Sequence, residues 1–119
     1  MIRGVHTMFY TSQPDALRAF LRDTLGLAAH DVGGGWLIFD LPEADMGCHP
    51  ADPENGAPSG RHDISFYCDD IGRTVAELTA RGVEFAGPVE DQGYGLVTAM
   101  KVPGGFQIRL YQPKYAKGR

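Results

Sequence analysis

Cysteine and tryptophan are scarce in this chain of 119 residues, with two of the first and one of the second, and the cysteines, Cys48 and Cys68, stand far apart. Without a CxxC spacing or a disulfide framework, neither a thiolate metal cluster nor a stapled secreted scaffold is expected, and the thiols are expected to stay reduced in the cytoplasm. No apolar run approaches the roughly 20 residues that a membrane-crossing helix needs, so no membrane partner is expected. Polar residues follow Met1 within a few positions, and a signal peptide is not expected either. Basic charge is thin: 11 Lys and Arg against 15 Asp and Glu give a formal charge of −4. No basic stripe exists to neutralise phosphates, which argues against a nucleic-acid partner. The one basic cluster, Lys114, Lys117 and Arg119, sits in the C-terminal tail and reads as a solvated end. A phosphate loop, a dinucleotide fingerprint and a Ser-His-Asp spacing are also lacking. Gly33-Gly34-Gly35 leads into an apolar run rather than a helix, and is expected to be a hairpin turn.

Glycine and proline, by contrast, are plentiful at 16 and 8, which favours short elements joined by tight turns. The same short architecture occurs twice. His6-Thr-Met-Phe-Tyr, an amphipathic stretch and Leu25-Gly26-Leu27 are matched by His62-Asp-Ile-Ser-Phe-Tyr, an amphipathic stretch and Arg81-Gly82-Val83. Twenty positions separate histidine from glycine in each copy (6 to 26, 62 to 82), and each half ends before a proline, Pro50 or Pro113. Two copies at this period indicate a duplicated module closing around a shared cleft, not a solenoid.

Val5 to Thr11 alternates as a strand does. Ser12 is placed to cap a helix with Pro14 in its first turn, Leu17, Phe20, Leu21 and Leu25 on its buried stripe, and Gly26 as its stop. Trp36 to Leu41 and Met46 to His49 read as further strands. Residues 51–61 are turn formers and are expected to link module 1 (1–50) to module 2 (62–113), with 114–119 as a tail. In the second module Asp63 to Cys68 is a strand, and Asp69 or Asp70 caps a helix with Ile71, Val75 and Leu78 facing inward. Val83 to Phe85, Gly95 to Val102 and Phe106 to Tyr111 complete it. The expected fold class is α+β: two tandem βαβββ modules whose curved sheets form a cleft. A lone module of about 50 residues buries too little apolar area to be stable, so the modules are expected to pack together or to exchange between chains.

Three stretches carry a resemblance: Ala19-Phe-Leu-Arg-Asp-Thr-Leu-Gly26; Asp69-Asp-Ile…Val75-Ala-Glu-Leu…Arg81-Gly-Val; and Val102-Pro-Gly-Gly105…Ile108-Arg-Leu-Tyr-Gln112. With these, the chain from His6 to Gln112 resembles the vicinal oxygen chelate superfamily, which includes glyoxalase I, extradiol dioxygenases and bleomycin-resistance proteins. The resemblance implies a homodimer and a cleft that takes a small molecule. In metal-dependent members two histidines and one or two carboxylates bind a divalent ion, which acts as Lewis acid.

By that resemblance the first ligand position falls on His6, which shares a strand face with Met8 and Tyr10. In the second module the apolar face formed by Ile64, Phe66 and Cys68 leaves Asp63, Ser65 and Tyr67 on the cleft side. This favours Asp63 as the second ligand, whereas the matched spacing favours His62. Gly47 and His49 reach the cleft if Met46 and Cys48 are core, and the reverse holds if Pro42 is aligned with Pro103. His6, Asp63 and His49 are therefore the candidate metal ligands, for an ion that the protein either binds or lacks. Arg109 stands where the family usually has glutamate, and a guanidinium has only donors and cannot ligate a cation. Asp63 and Arg109 are expected to form a charge-assisted bidentate pair instead. Tyr10, Tyr67, Tyr94, Tyr111 and Phe106 are candidates for the lining of the pocket. Two functions remain open. One is a small-molecule-binding protein with an atypical or absent metal site; the other is a metal-dependent lyase or dioxygenase using His6 and Asp63.

Overall fold

The computed structural model describes residues 1, 5–41 and 43–116. Ile2 to Gly4, Pro42, and the tail residues Lys117 to Arg119 lie outside the described residues. The architecture is α+β with two sheets, as expected. In chain order the elements are α1 (Pro14–Ala19), a π turn (Phe20–Thr24), β1 (Ala29–Asp31), β2 (Leu37–Phe39), a 3-10 turn (Pro53–Asn55), β3 (Ser65–Tyr67), α2 (Ile71–Ala80), β4 (Glu90–Asp91), β5 (Gly95–Val102) and β6 (Phe106–Pro113). β1 and β2 form an antiparallel hairpin, and the second sheet runs β3-β6-β5-β4. The second half therefore has the full β-α-β-β-β order.

Local chemistry explains both helices. Pro14 opens α1 because an N–H at that position would have no helical partner, and Asp15 beside it suits the positive helix end. Ser12 does not cap: Gln13 occupies the cap position without a side-chain bond, and its N–H goes instead to the Thr11 hydroxyl at 3.1 Å. In α2, Asp70 caps by accepting the Arg73 N–H at 3.1 Å. The Gln112 side-chain oxygen takes another first-turn donor, the Ile71 N–H, at 3.0 Å. Gly82, at φ +90, lets Val83 N–H reach the Leu78 carbonyl at 3.0 Å and close the helix end.

Met100 and Ile108 are the most deeply buried large side chains. Around them Leu17, Leu21, Ile71, Leu78, Val83, Val102 and Leu110 form one cluster, so both helices share a core with β5 and β6. Arg81 also joins the halves, donating to the Thr24 carbonyl at 3.0 Å.

Two expected strands do not form. Val5 to Thr11 and Met46 to His49 have no strand structure, because a strand exists only where a neighbour supplies ladder bonds, and among the described residues neither segment has one. The alternation of the first segment survives as packing. The Phe9 ring lies 6.0 Å from Phe106 and the Thr11 hydroxyl donates to the Pro103 carbonyl at 3.3 Å, while Met8 and Tyr10 point outward. Val83 to Phe85 shrinks to a bridge between Phe85 and Met100 before Gly87 and Pro88 interrupt it. β1 and β4 were not expected. Each precedes a turn stabilised by an aspartate: Asp31 accepts from Gly33 and Gly35, and Asp91 from Gly93.

Two outcomes test this packing. Gly104, at φ +109, sits against Thr11 so closely that a Cβ there would collide with the threonine side chain. Gly104→Ala should therefore cost about 1–3 kcal/mol, read from urea unfolding, and an unchanged midpoint would contradict the placement of Thr11. Cys68 is part-buried, with its sulfur 3.8 Å from the Tyr111 carbonyl, and burial pushes its thiol pKa up, with the nearby Asp69 and Asp70 charges adding to the shift. A raised pKa means less thiolate at a given pH. Iodoacetamide at pH 8 should modify exposed Cys48 first, and Cys68 should react only as the pH is raised further.

Candidate functional site

Both helices pack on one face of the second sheet and, among the described residues, leave the other open. Ile108 and Leu110 point into the core, so period two turns Gln107, Arg109 and Tyr111 to the open side. Strand pairing then builds rows across that face. Tyr67, Tyr111 and Val97 form one row, which Glu90 extends at the far edge; Ser65, Arg109 and Ala99 form the next. Lys101 and Gln107 lie one row further along.

The tyrosine row carries an aromatic cluster. The ring of Tyr111 lies 6.3 Å from Tyr67 and 5.7 Å from Tyr94, and its hydroxyl is 2.9 Å from that of Tyr115. Tyr111 is buried at 8% exposure, whereas Tyr94 and Tyr115 present nearly half their surface. Lys114 fixes this end: its backbone N–H donates to the Tyr94 carbonyl at 2.9 Å and its ammonium bonds Asp91. That ammonium, with the Gly93 N–H, holds the Asp91 carboxyl below the usual range.

One row away lies a charged triad. Arg61 grips both Asp63 oxygens, at 3.0 and 3.1 Å, and Arg109 reaches one of them at 3.4 Å. Asp63 and Arg109 thus meet, but the bidentate partner is Arg61, not Arg109. Side-chain exposures of 42%, 44% and 51% for Arg61, Asp63 and Arg109 leave the triad within reach of water. The Asp63–Arg109 contact is therefore worth less than about 1 kcal/mol, not the larger figure of a buried pair.

β3 is an edge strand, and a groove of about 510 Å³ follows its free side. Ser65 and Tyr67 from the open face, Phe66 and Cys68 from the core face, and Leu25, Leu27 and Leu41 from the first half line it. Glu43, Asp69, Glu77 and Arg81 supply its charged groups.

The other expected site residues lie apart. His6, Met8 and Tyr10 are exposed on the N-terminal segment, Tyr10 at 90%, and no hydrogen bond, ion pair or ring contact among the described residues links them to the triad. His49 is exposed, with its Nδ1 2.8 Å from the neighbouring Pro50 carbonyl. Among the described residues no three His, Cys, Asp or Glu side chains converge, so His6, Asp63 and His49 are not brought together as a ligand set. A divalent ion does not fit the donors as they stand. It would have to displace Arg61 from both oxygens of Asp63 beside a second guanidinium.

Sequence reasoning missed Arg61, Tyr115 and the groove. Arg61 was absorbed into a run of turn formers, yet it stands two positions before Asp63 and so on the same side of an extended chain. Tyr115 continues the 111, 113, 115 alternation into what reads as a frayed tail.

Among the described residues no helix is long and apolar enough to cross a membrane. No curated protein matches the chain. Among solved structures it is similar to TnmS3, an antibiotic-binding protein from Streptomyces sp. CB03234, at 23% identity and TM-score 0.61 over 96% of this chain and 100% of that one. A superfamily member from Sphaerobacter thermophilus DSM 20745 is 28% identical with a TM-score of 0.62, covering 93% and 98%. Lactoylglutathione lyase from Agrobacterium tumefaciens is 19% identical with the same TM-score, covering 89% and 90%, a likeness of fold alone. The sequence pattern of one family matches residues 3–110, nearly the whole length: the chain belongs to the Glyoxalase/Bleomycin resistance protein/Dioxygenase superfamily.

Proposed function

We propose that this chain binds a small molecule on the open face of its second sheet, without a divalent ion at the position the family uses. The observation that carries this reading is the state of Asp63. The carboxylate at an expected ligand position is engaged by Arg61 and Arg109, and Arg109 stands where metal-dependent relatives have glutamate. A site built in this way recognises polar groups through fixed donors, and tyrosines beside it supply apolar area with hydroxyl handles. The likeness to an antibiotic-binding protein supports binding as the role. Two free thiols, one of them exposed, fit a reducing cytoplasm.

The functional unit we propose is a homodimer. Val5, Met8, Tyr10, Trp36, Leu41 and Met46 are exposed, with Met46 at 81%. The radius of gyration is 15.2 Å, against about 13.5 Å for a compact domain of this length. A second copy would cover this apolar surface and give the N-terminal segment a neighbour to pair with. Light scattering at tens of micromolar should give twice the 12.9 kDa chain mass. A clean monomer mass would overturn the assembly.

The ion-free reading is tested by calorimetric titration with nickel, manganese and zinc. The parent protein should show no stoichiometric binding. Arg109→Glu removes a cation and sets a second carboxylate beside Asp63, and should raise divalent-ion affinity at least about tenfold. Tight binding by the parent that is lost in both His6→Ala and Asp63→Ala would return the protein to the metalloenzymes.

A further inference from the structure

Three features of the open face are left unused by binding in general. First, the triad is not neutral: Arg61 and Arg109 bring two positive charges against the single negative charge of Asp63. Second, the surplus lies with Arg109. Arg61 already satisfies both oxygens of Asp63, so Arg109 makes one long contact of 3.4 Å with a group that can make five. Third, the row beside Arg109 is aromatic. Residues two apart on one strand face lie about 7 Å apart, so Arg109 is rooted beside the tyrosine row, in which Tyr111 is buried, Tyr67 half-buried and Tyr94 exposed. Ala99 and Val97 pair with these two residues and leave a low floor between the tall side chains.

From this juxtaposition we infer that the ligand is a small planar aromatic acid, its carboxylate on Arg109 and its ring against Tyr67 and Tyr94, with buried Tyr111 supporting both. The inference rests on the small-molecule-binding reading and gives it a ligand class. Arg109 can give a carboxylate two parallel N–H bonds, the geometry it lacks with Asp63. Arg61 is the positioning residue. By holding Asp63 on both oxygens it keeps that carboxylate from competing for Arg109, and keeps the local charge positive. The other charges on the face are offset or distant. Lys101 pairs with Glu84 at 3.9 Å, and Glu90 lies two strand spacings, about 10 Å, from Tyr111. Tilted tyrosine rings suit an edge or offset contact with a flat arene. The length of the site is one row step, which matches a carboxyl group attached directly to the ring system.

The probes are 2-naphthoate, its neutral amide 2-naphthamide, and the non-aromatic cyclohexanecarboxylate, titrated into the full chain by calorimetry and by amide NMR. Naphthoate should bind at least about tenfold tighter than either of the others, more weakly as salt is added, and should shift the amides of Tyr67, Arg109 and Tyr111. Arg109→Gln should remove the preference for the acid over the amide. Tyr94→Leu, at an exposed ring, should weaken both arenes together. Arg61→Gln should lower naphthoate affinity at least about threefold and leave amide binding unchanged, a split that a merely structural role would not give. Equal binding of acid and amide at shifted face residues would overturn the ligand class and leave the binding reading standing. An absence of shifts on this face with any probe would sink both. Naphthoate binding that survives Arg109→Gln would overturn the role of Arg109.

Discussion

The eight-residue pairing of β5 with β6 imposes a strict alternation, and both the core and the site depend on it. Ile108 and Leu110 must face the helices, because their burial with Met100 is the centre of the hydrophobic cluster. Once they do, Arg109 and Tyr111 have no choice of side. A slip of one residue would put a guanidinium among Leu17, Ile71 and Leu78 and move the core residues into water. The parallel partner β3 is fixed by the same strand, so Ser65 and Tyr67 fall into rows with Arg109 and Tyr111. Site geometry is thus a by-product of core packing on the opposite side of the same strand.

The charged triad has the opposite energetic character. Its members are about half exposed, and water competes for each contact. Such a cluster adds little to stability, and it can be rearranged at little cost. Arg109, rooted in β6, and Arg61, on the segment before β3, are the donors, and Asp63 between them is the acceptor. The tyrosines next to it differ in turn: Tyr111 is locked by burial, and Tyr94 and Tyr115 are its exposed flanks.

Much of the second half was legible in the sequence. Asp70, Gly82 and the spacing of Ile71, Val75 and Leu78 set α2 through local chemistry, and the apolar pattern of Phe66 and Cys68 placed Asp63 on the same side as Arg109. The first half was less legible for a physical reason. Val5 to Thr11 has the alternation of a strand, but a ladder needs a second chain segment at its side, and no residue within the segment encodes that neighbour. The same holds for Met46 to His49. Trp36 and Gly33 to Gly35 did announce a hairpin, because turn geometry is local. Arg61 went unread because its neighbours are turn formers, though its partner lies only two positions away.

Gln112 gives the arrangement a mechanical side. Its side chain accepts the first amide of α2, and its backbone neighbour Tyr111 takes the Cys68 amide at 3.0 Å. The helix start, the end of β3 and the tyrosine row are therefore anchored to adjacent residues of one strand. Gln112 helps to fix where α2 begins, and Tyr111 fixes where β3 ends. The tyrosine row on one face and the first turn of a helix on the other thus share one two-residue stretch of strand.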